Sequence, residues 1–507
     1  MPIRYLMPFF LRKIFKQDMN YSFFIISLIL LSNTSFVFSE ESGIKSKTAI
    51  VSYMSWYPSI GAINGCNLWK HNGFLYRNHK DATYKNYPIG SFEKSSSIPN
   101  SDPISFANSA LGKSAVESDL NEIKKAGFDV VAYDMLPDPN PKFPELNGPG
   151  YCNMSLFSLY GELGIKKGLK FALLSDIKNV SGDYPNGYQF NESQWYRAYE
   201  NVISKYSMED WYWKIEGAPV FFQFGATTGA ISGKKGADAI HSWINILEDL
   251  NKQGKKTKVF LDVRPREFES NVTKFNSVGA NPFLFAPGAP YNFINKFMTE
   301  LKANNDYIIW PVNVNYANKK LKVFLPPDFS RIDSLYSTAI LNDADSVFFN
   351  TWNDFDEDTD ATPSRNKSKA IITLLNYYNT WFKTGKKPTT DISQIIIAAP
   401  QHRFSKTVSS APKWGGGATE GEDENPSQVI YYWVNLKQNG WVKVGQDRIN
   451  LPKGVSFGKV LINKSEIVEI DTFIGGATNI KIKQFELESD KPNTPGRSYQ
   501  YLLINER

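Results

Sequence analysis

Residues 114–134, SAVESDLNEIKKAGFDVVAYD, contain one complete helix–strand unit. The apolar residues of its first half recur at helical spacing: Val116, Leu120 and Ile123. This period predicts an amphipathic helix, with Ser114 as its N-cap and Gly127 as its end. The apolar run that follows predicts a buried strand that ends at Tyr133, directly before Asp134. A helix that leads through a glycine into a buried strand is the building unit of parallel α/β folds.

The same pattern continues in both directions, from residue 47 to about residue 385. The predicted strands are Thr48–Tyr53, Phe128–Tyr133, Lys170–Ser175, Pro219–Phe224, Lys258–Val263, Pro282–Ala286, Tyr307–Val314 and Ser346–Thr351. The predicted helices are Ser114–Lys125, Ser155–Lys167, Glu192–Tyr206, Ala237–Lys252, Glu267–Ser277, Asn292–Ala303, Arg331–Asn342 and Lys367–Lys383. Eight strands, each followed by a helix, predict an α/β fold of the (β/α)8 TIM barrel type over residues 46–388. A doubly wound sheet fits fewer units, and no G-x-G-x-x-G follows the first strand.

Composition and charge indicate which class of molecule the protein binds. Tyr, Phe and Trp make up 14% of the 507 residues. Aromatic rings pack against the apolar C–H face of a pyranose, so this surplus suits sugar binding as well as core packing. The formal charge is +6, of which residues 1–39 carry +3, and the sequence has no concentrated basic stripe. Nucleic acid is therefore a poor candidate partner, and a neutral oligo- or polysaccharide fits better.

Beyond Lys386 the helical pattern stops, and β-like runs predict a small C-terminal β-sandwich domain over residues 391–507. These runs are Ile395–Ala398, Val429–Leu436, Trp441–Val444, Phe457–Ile462 and Ile480–Glu486. Two roles are open for this domain: it binds carbohydrate through Trp414, Trp433 or Trp441, or it only braces the barrel.

Residues 1–39 are predicted to be a secretory signal peptide. Basic residues precede the apolar run Phe23–Leu31, and Val37-Phe38-Ser39 resembles a small-residue cleavage site. We therefore expect a secreted, periplasmic or cell-surface protein with no transmembrane helix after leader cleavage. An uncleaved membrane anchor is the alternative.

The two cysteines, Cys66 and Cys152, both follow the leader. An oxidising compartment permits one disulfide between them, but the sequence does not establish it. Two cysteines without a Cys/His cluster argue against a structural zinc site. We expect a monomer that needs no cofactor and no metal.

In such a barrel the active site forms where strands end and the following loops begin. The polar and aromatic residues at these positions are candidates for substrate binding: Tyr53, Trp56, Asp134, Asp176, Gln223, Asp262, Arg264, Asn313, Tyr316, Trp352 and Asn353. Acids there cost desolvation free energy unless they are paired or used, so both structural and functional roles are open for them. The long aromatic loop Ser55–Gly112 is predicted to form a wall of the substrate cleft.

The segment after the last predicted strand, Trp352-Asn353-Asp354-Phe355-Asp356-Glu357, carries the most specific signal. Asp354 and Glu357 are spaced i, i+3, which puts both carboxyl groups on one side of a helical turn. Glycoside hydrolysis needs two carboxyl groups, one protonated to expel the leaving oxygen and one ionised to activate water or an internal nucleophile. The pair is therefore predicted to be catalytic.

Two other interpretations apply to the same segment. Its acids alternate as do the first ligands of a calcium loop: Asp354, Asp356, Asp358 and Asp360. An EF-hand has glycine and glutamate where this sequence has Thr359 and Arg365. A calcium site of another type and a solvated acidic loop stay open, although the apolar strand before Trp352 disfavours the latter.

A strand that ends in Thr-Trp-Asn-Asp-aromatic-x-Glu, here Thr351 to Glu357, resembles the last barrel strand of glycoside hydrolase family 71, the α-1,3-glucanases. The related endo-α-mannosidase family 99 carries a similar Trp-Asn-Glu-x-x-Glu version. Looser resemblances are found in Phe171–Asp176, Gly127–Asp134 and Tyr53–Tyr57. The layout is similar over roughly residues 47–385, and the segment up to Glu357 is the specific part.

This resemblance implies an α-glycanase barrel with Glu357 as general acid and Asp354 as base. Asp354 would activate water in an inverting route, or assist the sugar's own 2-hydroxyl in a retaining one. The sequence departs from the pattern by placing Asp356 and Asp358 around Glu357, where relatives usually have a small or neutral residue. We expect hydrolysis of an α-linked polysaccharide, α-1,3-glucan before α-mannan, because position 354 is Asp rather than Glu. The alternative is a carbohydrate-binding secreted or surface protein without turnover.

Overall fold

The computed structural model describes residues 47–55, 110–135, 154–176, 190–263, 272–285, 288–302, 307–318, 323–354, 357–364, 367–400, 429–444, 447–461, 467–474, 478–486 and 499–505. All of these belong to one compact unit, Lys47–Arg507. Several predictions fall outside them: the signal peptide, the possible Cys66–Cys152 disulfide, most of the loop Ser55–Gly112, and the roles of Trp56, Arg264 and Trp414.

Eight parallel strands form a TIM barrel, as the sequence predicts. They are β1 Thr48–Met54, β2 Val130–Met135, β3 Lys170–Ser175, β5 Ala218–Gln223, β6 Lys258–Asp262, β7 Ala280–Phe283, β8 Ile309–Val312 and β11 Ser346–Phe349, with the short β4 Lys214–Ile215 antiparallel to β5. Their hydrogen-bonded order is β7-β6-β5-β3-β2-β1-β11-β8, and the end strands β7 and β8 contact each other. Two further strands, β9 Tyr316–Asn318 and β10 Val323–Leu325, form a hairpin after β8 that the sequence does not predict.

The helices that follow the strands surround the barrel. They are α1 Ala110–Lys125, α2 Met154–Ile165, α3 Glu192–Tyr206, α4 Gly236–Lys252, α5 Val272–Ser277, α6 Tyr291–Lys302, α7 Phe329–Leu341 and α8 Ala370–Thr384. The predicted start of the last helix at Lys367 is three residues too early, because Lys367 belongs to the preceding loop and its side chain is buried there. Within the described residues, no helix has both the length and the apolar character needed to cross a membrane.

Side chains of each barrel strand alternate between two apolar layers, as the two-residue period of a strand requires. Ile50, Ala132 and Phe348 belong to the cluster inside the barrel. Their neighbours Val51 and Tyr133 belong to the larger cluster between strands and helices. This alternation decides which residues at the strand ends point into the barrel mouth.

The C-terminal part forms two antiparallel sheets, which pack face to face as a small β-sandwich. Their strands are β12 Gln394–Pro400, β13 Val429–Leu436, β14 Gly440–Val444, β15 Asp447–Leu451, β16 Gly454–Leu461, β17 Ile467–Ile474, β18 Thr478–Glu486 and β19 Tyr499–Asn505. The first sheet has the order β16-β13-β12-β19 and the second β15-β14-β17-β18. Ile397 of one sheet and Val442 of the other share one apolar cluster.

The outer face of the first sheet packs against the barrel. Trp433 of β13 is fully buried, and its ring lies 5.4 Å from that of Tyr377 on α8. Of the tryptophans proposed for carbohydrate binding, Trp433 therefore braces the barrel. Trp441 is partly exposed, and the guanidinium of Arg448 lies over its ring at 4.5 Å.

Candidate active site at the barrel mouth

The carboxyl group of Asp134 lies at the centre of an acidic cluster. Asp134 follows Ala132 by two residues on β2, so strand alternation points it into the barrel, where it is 2% exposed. Burial raises the pKa of Asp134 well above its ordinary value, and the nearby carboxylates of Asp176 and Asp354 raise it further. Its Oδ1 atom accepts no hydrogen bond from any described residue. Three acids from three strand ends thus share one site, in which burial and the neighbouring carboxylates favour the protonated form of Asp134.

Asp354 lies in a loop whose two ends are hydrogen-bonded together. The backbone N–H of Asp354 donates to Oγ1 of Thr351 at 3.0 Å, and the Thr351 and Thr359 hydroxyls lie 2.9 Å apart. The N–H groups of Ala361 and Thr362 both donate to the carbonyl of Trp352. The loop therefore returns to the strand end that it leaves, and Asp354 is 9% exposed.

Glu357 lies in the same loop and is half-buried. The hydroxyl of Tyr316, at the start of the hairpin strand β9, donates to its Oε1 at 3.1 Å. Tyr316 and Glu357 are both predicted site residues, and the structure brings them together although they lie 41 positions apart in the chain. A carboxyl group oriented by a phenol donor is placed for proton exchange with a ligand at the barrel mouth.

Two acids of the predicted calcium pattern, Asp358 and Asp360, bind a lysine. The ammonium of Lys367 lies 3.0 Å from Oδ1 of Asp358 and 2.7 Å from Oδ1 of Asp360, and all three side chains are buried. Lys367 also donates to the backbone carbonyls of both aspartates at 2.9 Å. Among the described residues, no group of three or more His, Cys, Asp or Glu is arranged to hold a metal ion.

This ion-pair cluster sets the protonation of Asp358. Burial raises the pKa of Asp358 to about 7, with Lys367 lowering it and the neighbouring Asp360 raising it. Asp358 is an extra acid beside Glu357, and the structure places it in the buried ion-pair cluster with Lys367 and Asp360.

Three predicted site residues hold the strand ends together. Asn353 accepts from the N–H of Met54 at 2.7 Å and donates to the Met54 carbonyl at 3.0 Å, so it joins β11 to β1. Asp262 accepts from the N–H groups of Gly225 and Phe285, both at 3.1 Å. Asn313 accepts from the guanidinium of Arg331 at 2.6 Å, and Arg331 also donates to the Ala289 carbonyl. These contacts hold in place the strand ends and loops around the acidic cluster.

Three other predicted site residues face the helices. Tyr53 is fully buried, and its hydroxyl lies 2.8 Å from that of Tyr160 on α2. Gln223 is fully buried and accepts from the hydroxyl of Tyr199 on α3. Trp352 is fully buried, and its indole N–H donates to Asp119 on α1 at 2.7 Å. Strand alternation turns Tyr53 and Gln223 away from the mouth. Trp352 lies beyond the end of β11, and its packing in the cluster between strands and helices takes it away from the mouth. The candidate site therefore does not include Tyr53, Gln223 or Trp352.

Asn350 is a site residue that the sequence reasoning missed. It follows Phe348 by two residues and therefore points into the barrel, where it is 1% exposed. No described residue is hydrogen-bonded to either polar atom of its side-chain amide. A buried amide without partners costs free energy, so Asn350 is suited to bind a polar ligand group. The sequence did offer one indication of this role, because Asn350 lies near the end of a predicted strand, two residues before Trp352.

No known family profile matches the sequence, and no curated protein matches it. Solved structures similar to the chain include the family 99 endo-α-mannosidase of Bacteroides thetaiotaomicron, with a TM-score of 0.46, 14% identity, and coverage of 67% of this chain and 98% of that chain. Another match is a glycoside hydrolase-like protein, with a TM-score of 0.40, 10% identity, and coverage of 66% and 94%. A family 113 β-1,4-mannanase has a TM-score of 0.35, 10% identity, and coverage of 52% and 92%.

Proposed function

We propose that this protein is a glycoside hydrolase that cleaves an α-linked polysaccharide with carboxyl groups at the barrel mouth. The observation that carries the proposal is the buried carboxyl of Asp134, whose pKa is raised well above its ordinary value by burial and by Asp176 and Asp354. Carboxyl groups in different protonation states within one cleft are what acid/base cleavage of an acetal requires. The chemistry needs no cofactor.

In this proposal Glu357 is the general acid that protonates the leaving oxygen of the glycosidic bond. Its contact with Tyr316 at 3.1 Å orients the carboxyl group. Asp354 is the base. It activates water in an inverting route, or the sugar's 2-hydroxyl in a retaining one, and the loop bonds from Thr351 hold its backbone in place.

The neutral residues of the mouth suit a neutral substrate. The carboxyl of Asp134, whose pKa is raised, and the amide of Asn350 each offer polar atoms to which no described residue is hydrogen-bonded. Hydroxyl groups of a sugar both donate and accept, so they satisfy such atoms without adding charge to a buried site. This favours a neutral glycan over an acidic one.

The resemblance of the segment ending at Glu357 to family 71 supports α-1,3-glucan as the preferred substrate, with α-mannan second. The predicted signal peptide supports action outside the cytoplasm, on an extracellular or cell-surface polysaccharide. The second candidate function is carbohydrate binding without turnover, which the partial exposure of Trp441 on the sandwich supports.

The test incubates purified protein with α-1,3-glucan, α-mannan and other α-glucans, and measures both the release of reducing ends and the bound fraction. We expect release from one of the α-glycans. Binding without any release supports the second function and contradicts hydrolysis. Proton NMR of the first product formed then distinguishes retention from inversion at the anomeric carbon.

A further inference from the structure

One side chain of the last sandwich strand, β19, reaches the barrel mouth. Tyr501 of β19 is buried at 6% exposure, and its hydroxyl donates to Oδ1 of Asn315 at 3.2 Å. Burial raises the pKa of Tyr501 well above its ordinary value, and the nearby Asp358 and Asp360 raise it further. The phenol is therefore neutral and can act as a donor throughout the pH range in which proteins stay folded.

Asn315 links Tyr501 to the loop that carries Glu357. Its Nδ2 donates to the backbone carbonyl of Asp358 at 2.6 Å, and Asn315 is 3% exposed. An amide side chain can rotate by half a turn and exchange its oxygen and nitrogen. The exchanged orientation would bring the amide oxygen against the carbonyl oxygen of Asp358, two acceptors, and would remove the acceptor to which the Tyr501 hydroxyl donates. Tyr501 thus keeps the Asn315 amide pointing its N–H at the loop.

The neighbouring residue on the same segment holds the adjacent position of the loop. Tyr316 donates to the carboxylate of Glu357, while Asn315 donates to the carbonyl of Asp358. Consecutive residues of one segment therefore hold consecutive residues of the other. A shift of Asn315 would carry Tyr316 with it, and with Tyr316 the orientation of the Glu357 carboxyl.

We propose that Tyr501 is a positioning residue, through which the C-terminal sandwich orients Glu357 by way of Asn315. This inference rests on the proposed function for its kinetic consequence, but its structural consequence can be measured independently. The sandwich then contributes to the working geometry of the barrel mouth as well as to its stability. Lys367 holds the same loop from within the barrel segment, so loss of Tyr501 should loosen the loop without unfolding it.

The test is Tyr501→Phe, which removes one hydroxyl and keeps the ring packing. The matched control is Tyr432→Phe, in the same sheet, whose side chain faces the other sheet rather than the barrel. The first readout is hydrogen–deuterium exchange of the peptide covering residues 351–364. We expect its exchange to become about five- to tenfold faster in Tyr501→Phe, as loss of one hydrogen bond allows, and to stay unchanged in Tyr432→Phe.

The second readout is steady-state kinetics on the best glycan. We expect kcat to fall about tenfold with KM within about twofold, because the contact acts on the acid and not on substrate affinity. The pH profile of kcat should shift as well, which a purely structural contact would not cause. Equal exchange and equal kinetics in the two variants would overturn the proposal. If the protein hydrolyses no glycan but Tyr501→Phe still speeds exchange, the positioning role of Tyr501 would be supported and the proposed hydrolytic function would be refuted.

A double-variant cycle tests the chain of contacts from Tyr501 to the loop independently of kinetics. Asn315→Ala should loosen residues 351–364 as Tyr501→Phe does, and the combined variant should add little, because both changes break one chain of contacts. Additive effects would show that Tyr501 acts on something other than Asn315 and would overturn the proposal.

Discussion

The hydroxyl of Tyr316 donates to Oε1 of Glu357 at 3.1 Å, across a chain separation of 41 residues. This contact is the direct link between the hairpin after β8 and the carboxyl group proposed as the general acid. Tyr316→Phe should lower kcat about tenfold and leave affinity for glycan unchanged, because the Glu357 carboxyl, once it loses this donor, more often adopts unproductive orientations.

The control for this variant is Tyr307→Phe. Tyr307 loses a comparable contact, 2.7 Å to the hydroxyl of Ser346, at the opposite end of the barrel. Kinetic constants and thermal unfolding of both variants should be measured together. Equal losses of kcat in the two variants would show that general loosening, rather than the position of Glu357, causes the effect.

Asp134→Asn should change how stability depends on pH. The raised pKa means that folded Asp134 keeps its proton where the unfolded chain has released it, so the folded state binds more protons in that window. The free energy of unfolding of the native protein should therefore fall by up to about 1.4 kcal/mol per pH unit above the ordinary aspartate pKa, until the raised pKa is passed. Asparagine has no proton to release, so the variant should lack this contribution.

The measurement is urea unfolding of the native protein and Asp134→Asn at several pH values between 4 and 9. The difference in unfolding free energy should grow in favour of the variant as pH rises. Parallel pH curves would mean that Asp134 is ionised in the folded protein, and the observation that carries the proposed function would be lost.

Lys367→Met should destabilise the fold strongly. It leaves the carboxyl groups of Asp358 and Asp360 buried without their counter-ion, which typically costs about 3–5 kcal/mol. The exposed Lys369→Met is the control and should change stability by less than about 0.5 kcal/mol. Combining Lys367→Met with Asp358→Asn and Asp360→Asn should restore part of the loss. Failure of this rescue in urea titrations would show that the two carboxyl groups are not the cause.

Asn350→Leu should weaken substrate binding without weakening the fold. The amide forms no hydrogen bond with any described residue, so an apolar side chain of the same shape should leave the unfolding free energy unchanged or higher. KM should rise about tenfold through the loss of hydrogen bonds to a sugar hydroxyl.

Asn379→Leu provides the contrasting case. Its amide accepts from Tyr336 at 2.7 Å and donates to the Ala126 carbonyl at 2.8 Å, so the same substitution should cost about 1–3 kcal/mol. Melting curves and KM values for both variants separate the two roles. If Asn350→Leu is destabilised and its KM is unchanged, Asn350 stabilises the barrel and does not bind substrate.

The barrel could be predicted from the sequence because each helix–strand unit is locally complete. The periods around Val116 and the glycine before Phe128 specify a helix and a strand without reference to the rest of the chain. The sandwich was predictable for the same reason, since β-like runs such as Val429–Leu436 coincide with an observed strand.

Which strand-end residues face the mouth could not be predicted. Parallel barrel strands are apolar on both sides, so the pattern does not tell inward from outward positions. Asp134 and Asp176 proved to lie together with Asp354, whereas Tyr53, Gln223 and Trp352 point to helices. Choosing among them required the register of the strands.

The supports of the Glu357 loop were also beyond sequence reasoning. Lys367 reads as the start of a helix, and only the folded chain brings its ammonium to Asp358 and Asp360. Tyr501 lies 186 positions from Asn315 along the chain. Contacts between such distant segments leave no local signal, because neither segment's own pattern depends on the other.

The central claim, that Glu357 donates the proton to the departing glycosidic oxygen, is tested most directly by the kinetics of Glu357→Gln on two kinds of substrate. On polysaccharide, kcat should fall about 10²- to 10⁴-fold, while a glycosyl fluoride, whose leaving group needs little protonation, should lose far less. The exposed Glu248→Gln should match the native protein on both. Equal losses on the two substrates, or full activity on polysaccharide, would contradict the assignment of Glu357 as the acid.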